Sequence, residues 1–217
     1  VTGSRGAFVG FVVTLIYILY KEKKLIVGLV VAAFLAAPAT YLVSDQYVQR
    51  IKSIGEYKQD ISVEIRFQVW RAAVSMIADH PLFGVGTGNF ATAYGSIYKA
   101  VGDLSSYTSP HNIFVQVFAE LGLLGITIYL AFIAAIFYIN RKTRLMLSAH
   151  DDARTLVLYT HAIDVALVGY IVAGQFITAT YYPHLFQFSV WASAMYLMAR
   201  NKVNETHVRP DATTSAV

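Results

Sequence analysis

Long apolar runs alternate with short charged stops along this chain, and one long polar segment interrupts them. Residues 7–20 are apolar and slightly short for a membrane span; Lys21-Glu-Lys-Lys24 stops them. Residues 25–43 form a second run, with Pro38 tolerated near its far end. Residues 44–110 are too polar to cross a bilayer. Residues 113–139 are a third run, stopped by Arg141-Lys-Thr-Arg144. Residues 155–178 are a fourth. Residues 185–199 are a fifth, ended by Arg200 and Lys202. A hydrocarbon layer about 30 Å thick takes about 20 helical residues to cross. The pattern therefore predicts an all-α polytopic membrane protein with about five transmembrane helices. Two helices fall in 1–43, a long loop in 44–110, and three helices in 111–200. A disordered tail covers 201–217.

The charged stops also set an orientation. The three basic clusters follow runs one, three and five, so five crossings place them on one face. The positive-inside bias makes that face cytoplasmic. Arg5, the long loop and the Tyr181-Tyr-Pro-His184 turn then share the outer, periplasmic face, and the tail is cytoplasmic.

Inside the loop, Val63, Phe67, Trp70, Val74 and Ile77 recur at helical spacing. They predict an amphipathic helix over about 62–80, lying at the membrane interface with Trp70 at headgroup depth. His80-Pro81 ends it, because a residue before proline avoids the α region. Arg66 and Arg71 are five residues apart, so about 140° separates them around the helix axis. Arg66 lies on the Trp70 side, where it either snorkels to ordinary headgroups or binds a specific phosphate. The run Gly84-Val-Gly-Thr-Gly88 is a weak nucleotide signal, since a helix rather than a strand precedes it. A tight turn with positive φ angles and close backbone packing explains it better, with a phosphate nest as the alternative.

Composition sharpens the class. The chain is 56% hydrophobic and 14% charged, where a soluble domain carries about 25% charged residues. Mean hydropathy is +0.52. The net charge of +4 belongs to the clusters at the ends of apolar runs, so nucleic acid is not an expected partner. The chain has no cysteine, which excludes disulfides, thiolate metal sites and thiol nucleophiles. It begins at Val1 without an initiator methionine or signal-peptide features, so further membrane helices are expected upstream in a longer parent.

Candidate chemistry centres on Ser109-Pro-His-Asn112. Ser109 is a good helix cap and Pro110 suits the first helical position. His111 then falls in the first turn of the third span. The positive end of a helix disfavours imidazolium, leaving a neutral histidine able to accept a proton. A plain interfacial histidine fits the position as well. His161 and Asp164 share a face of the fourth span, and intramembrane ionisable residues are functional candidates. They either relay protons in a transporter or pair within the bundle. His184 in the outer turn is a further candidate. No metal-ligand spacing stands out.

Arg66-x-x-x-Trp70, Pro81-Leu-Phe-Gly-Val-Gly-Thr-Gly-Asn-Phe90, His111-Asn112 and Glu120-Leu-Gly-Leu-Leu-Gly125, in this order and spacing, resemble the C-terminal half of the O-antigen ligase/polymerase family. Gly3-Ser-Arg-Gly-Ala7 resembles the start of that family's preceding helix. The resemblance implies a bacterial inner-membrane, metal-independent, inverting glycosyltransferase. Such an enzyme moves a glycan from undecaprenyl diphosphate to an acceptor hydroxyl on the periplasmic side, as part of lipopolysaccharide or other surface-polysaccharide assembly. The acceptor is lipid A core for a ligase, another lipid-linked repeat for a polymerase, or a protein hydroxyl for a protein O-oligosaccharyltransferase. It implies no cofactor beyond the lipid-linked donor. Arg5 and Arg66 would hold the diphosphate and His111 would be the essential histidine. Arg71, Asn112 and His184 would support them.

Overall fold

A computed structural model describes residues 12–17, 19, 61–102, 108–178 and 180–208. Residues 12–17 and 19, within the first apolar run, are helical. Arg5, the second apolar run and the rest of residues 20–60 lie outside the described residues. Every regular element that is described is helical, and no strand occurs among them. Helix α1 covers Ile61–Asp79, α2 covers Phe90–Ala93 and continues as a π-helical turn over Tyr94–Tyr98. Helix α3 covers Ile113–Met146, α4 covers Arg154–Ala173 after a 3-10 turn at Asp151–Ala153, and α5 covers His184–Val208. Two helical stretches, Ile113–Met146 and Asp151–Ala173, are long and apolar enough to cross a membrane.

The chain divides into two compact units. The first is Val1–Ile126 with Ala173–Thr180. Its core joins one face of α1 (Val69, Ala72, Ala73 and Met76) to Phe90, Ala93, Tyr94 and Ala119. The expected stripe, read as the membrane-facing one, is only partly packed, with Ile77 against this core. Phe67 and Val74 of that stripe are exposed, while the smaller Ala72 and Ala73 let α1 approach its neighbours closely. The helix itself starts and stops close to the expected bounds, and the His80 amide closes its last turn on the Met76 carbonyl (2.9 Å).

The glycine run builds the close packing expected of it. Gly84, Gly86 and Gly88 all have positive φ (66°, 99° and 74°). Helix α3 is broken at Gly122, whose φ of 65° and ψ of −163° are not helical. A Cβ at Gly84 would collide with the backbone of Glu120 and Leu121; a Cβ at Gly122 would collide with the backbone of Leu82 and Phe83. The two glycines thus let the turn and the broken helix exchange hydrogen bonds. Val85 and Gly86 amides donate to the Ala119 and Glu120 carbonyls (3.0 and 2.9 Å). In return, Leu123 and Leu124 amides donate to the Pro81 and Leu82 carbonyls (2.8 and 3.3 Å). Backbone groups freed by the break are satisfied by the turn, as buried polar groups must be.

The second unit is Thr127–Val172 with Tyr181–Val217. Asp164, buried on α4, pairs with Arg144 of α3 (2.8 Å) and accepts from the Asn140 side-chain amide (2.8 Å). Arg144 also donates to the Thr160 hydroxyl (3.3 Å). One member of the expected basic stop is therefore turned inward, and Asp164 is committed to it. His161 lines a cavity of about 340 Å³ with Arg144, His150, Asp151 and Arg154. Two bounds differ from expectation. Helix α4 ends at Ala173 rather than 178, where Gly174 leaves the helix. Helix α5 runs on through the predicted stop to Val208, so the first part of the expected disordered tail is helical. Lys202, expected to end the span, instead holds Asp152 by an ion pair (2.6 Å).

Candidate functional site

A polar cluster of the first unit forms where the chain enters α3. The local signal favoured Ser109 as the cap, and the structure moves it to Asn112. Its side-chain oxygen accepts from the Phe114 and Val115 amides (2.9 and 3.1 Å), which are the N2 and N3 donors of a helix beginning at Ile113. Asparagine caps as well as serine does, and Ser109 has another use: its hydroxyl shares a hydrogen bond with Thr178 (2.8 Å). The side-chain amide of Asn112 donates to Gln175 (2.9 Å), and the Ile113 amide donates to the Gly174 carbonyl (2.8 Å). Thr180 donates to the Gln116 side chain (2.9 Å). Gly174, Gln175 and Thr180 therefore satisfy polar groups at the start of α3.

His111 is left just outside the helix, not in its first turn. Its φ of 46° is left-handed, and no other non-glycine residue among those described has a positive φ. That region costs an L-residue about 1–2 kcal/mol, and such outliers gather at functional sites. The Nδ1 atom of His111 meets the Thr178 hydroxyl at 3.2 Å. With Nδ1–H donating to Thr178, the Nε2 lone pair is the one available to a substrate. His111 keeps an exposed surface. Even so, the protein around its ring disfavours the charged form, and the nearby Arg66 guanidinium adds to this. Both hold its pKa below the ordinary histidine value. The direction is the expected one, and burial and Arg66 both contribute to it.

Arg66 reaches this histidine because of α1. Arg66 and Trp70 are four residues apart and share a face. The Trp70 indole N–H donates to the Pro110 carbonyl (2.8 Å), next to His111 in sequence. This bond holds α1 against the entrance to α3, and Arg66, on the same face as Trp70, comes close enough to act on the charge of His111. Arg71 is turned away and sits 3.9 Å from Glu64, both well exposed. His184 belongs to the second unit, where it packs edge-on to Tyr170 and Tyr182 and shares a hydrogen bond with Gln187 (3.3 Å). The structure thus brings Arg66 within electrostatic reach of His111, whose neighbour Asn112 caps α3. Thr178 and Gln175 were not legible in the sequence, because they lie at the end of an apolar run with no motif around them.

The glycine run does not present an open phosphate nest. Two of its amides, those of Gly88 and Phe90, donate to the carboxylate of Glu120 (3.0 and 3.1 Å), and Gln116 donates to the same carboxylate (3.2 Å). Glu120 is 1% exposed. An internal anion occupies the place where an external one was considered.

Fold and site together define a helical protein with membrane-length helices and a neutral histidine beside a fixed guanidinium charge. The sequence profile of the O-antigen ligase family matches residues 1–130, and the chain belongs to that family, whose members are membrane proteins. An uncharacterised protein of Haemophilus influenzae is 29% identical over 157 residues, covering 63% of this chain. The match covers 39% of that relative's own length.

Proposed function

We propose that this chain is part of a bacterial inner-membrane glycosyltransferase. It would transfer a glycan from undecaprenyl diphosphate to an acceptor hydroxyl at the periplasmic face, in the manner of an O-antigen ligase acting on lipid A core. The observation that carries the reading is a histidine in left-handed backbone, held by Thr178 and within electrostatic reach of Arg66 from a separate helix, in a member of this family. The basic clusters at the ends of the first, third and fifth apolar runs support the orientation.

Each group then has a task. Arg66, with Arg5 from the preceding segment, neutralises the diphosphate and the charge that builds on it as it leaves. Guanidinium charge is not titrated, so it suits this work without a metal ion. His111 Nε2 takes the proton from the acceptor hydroxyl as its oxygen attacks the anomeric carbon. The new bond forms as the bond to the diphosphate oxygen breaks, and undecaprenyl diphosphate departs. One displacement inverts the anomeric configuration. Thr178 orients the imidazole by accepting its Nδ1 proton. Asn112 fixes the helix start and does not touch substrate.

The test is complementation of a strain lacking its own surface-glycan ligase, using the complete gene carrying His111→Ala or Arg66→Ala. Lipopolysaccharide banding is read on a gel, with membrane expression confirmed. Wild type restores the ladder and both variants lose it if the reading is right. Restoration by His111→Ala removes the histidine from the mechanism. Failure of wild type itself overturns the lipid A core assignment and favours a polymerase or a protein acceptor.

A further inference from the structure

Turn 81–86 carries two large apolar side chains that the fold leaves uncovered. Leu82 is 58% exposed and Phe83 is 71% exposed. Directly across the backbone ladder of the turn, Leu123 and Leu124 of α3 are 53% and 54% exposed. Water-facing turns do not usually present four such side chains together. Beyond Gly122, the exposed residues of α3 stay uncharged through Tyr138, and the first exposed charge is Arg141. Before Gly122, from Ile113 onward, no residue of α3 is more than partly exposed.

Length places the break. A hydrocarbon layer of about 30 Å takes about 20 residues at a rise of about 1.5 Å each. Counting back from Arg141 by that number reaches Leu121, beside the break at Gly122. The exposed part of α3 and the uncharged stretch 121–140 thus begin at the same point. A break in a helix within hydrocarbon is tolerated only where other protein satisfies the freed backbone. The turn supplies that protein, and its own apolar side chains lie across the ladder from exposed Leu123 and Leu124.

We propose that turn 81–86 is seated in the bilayer at the boundary of its hydrocarbon layer, with Leu82 and Phe83 facing acyl chains. The reciprocal packing of Gly84 and Gly122 anchors the turn and the start of α3 to a fixed membrane depth. The partner is lipid, and the proposal does not depend on the catalytic reading.

The chain has no cysteine, so single labels are placed without background. Phe83→Cys, Leu124→Cys, Leu130→Cys and Ser96→Cys variants of the full chain are spin-labelled and reconstituted in phosphatidylethanolamine/phosphatidylglycerol vesicles. All four positions are exposed, so the fold should tolerate the change, and circular dichroism confirms helicity. Collision with oxygen and with a water-soluble nickel chelate is then compared. The expected result is that positions 83, 124 and 130 favour oxygen several-fold over the chelate, with 83 and 124 shallower than 130, while 96 favours the chelate. A label at 83 as open to the chelate as that at 96 overturns the proposal. So does chelate access at 130, since α3 would then not span at all.

Discussion

Replacing Glu120 with glutamine tests whether its carboxylate organises the first unit. The side chain keeps its size but exchanges one oxygen for an NH2 group. In the structure one carboxylate oxygen accepts from Phe90 N and Gln116 Nε2, and the other from Gly88 N. Whichever way the amide turns, its NH2 faces at least one backbone N–H. That bond becomes a donor–donor contact, and the remaining bonds lose the benefit of an ionised acceptor. A hydrogen bond to a charged group contributes about 1.5–3 kcal/mol, and an unsatisfied buried donor costs about 1–3 kcal/mol. The substitution should therefore destabilise the unit by about 2–4 kcal/mol. At about 2–4 °C per kcal/mol for a chain of this size, the melting temperature should fall by about 5–15 °C. The assay is thermal unfolding of purified protein in detergent, followed by circular dichroism, with limited proteolysis as a local readout. Cleavage should appear first between Gly84 and Phe90, where the lost bonds lie. A melting temperature within about 2 °C of wild type, with no new cleavage in this run, would refute the role assigned to Glu120.

Two further outcomes are expected. Titration of His111 by NMR in micelles should give a midpoint below the ordinary value of 6.5, and Arg66→Gln should raise it, because one of the two causes is removed while burial stays. The sign for stability follows: the unfolded chain binds the His111 proton more readily, so this residue destabilises the fold as pH drops below 6.5. An unchanged midpoint in Arg66→Gln would separate the two residues. In the second unit, Asp164→Leu leaves Arg144 without its carboxylate and should cost about 3 kcal/mol, whereas Asp164→Leu with Arg144→Met should recover most of it. If Asp164→Leu instead leaves thermal stability unchanged while abolishing glycan transfer, the pair acts in function rather than in packing.

Helix α1, the third and fourth apolar runs and the glycine-rich turn were legible in the sequence because each is encoded locally. Apolar spacing, an X-Pro stop and glycines that tolerate positive φ need no knowledge of what lies across the chain. Arg66 and His111 could also be named, since charge and position along the helices single them out. Their meeting could not be derived from spacing. It rests on the Trp70 bond to the Pro110 carbonyl, a contact between segments that share no local signal.

The tertiary structure decided which donors and acceptors are satisfied, and by what. Asn112 rather than Ser109 caps α3 because Thr178, at the end of the fourth run, engages Ser109. Glu120 fills the glycine turn's amides because Gly84 and Gly122 let two backbones touch. Arg144 reads as a stop signal in sequence, yet it turns inward because Asp164 is buried opposite it. By itself the chain determined where helices form, since hydrophobic period and turn chemistry act over a few residues. Only the folded molecule determined which polar groups meet, because a buried hydrogen-bonding group takes its partner from whatever segment packing brings near.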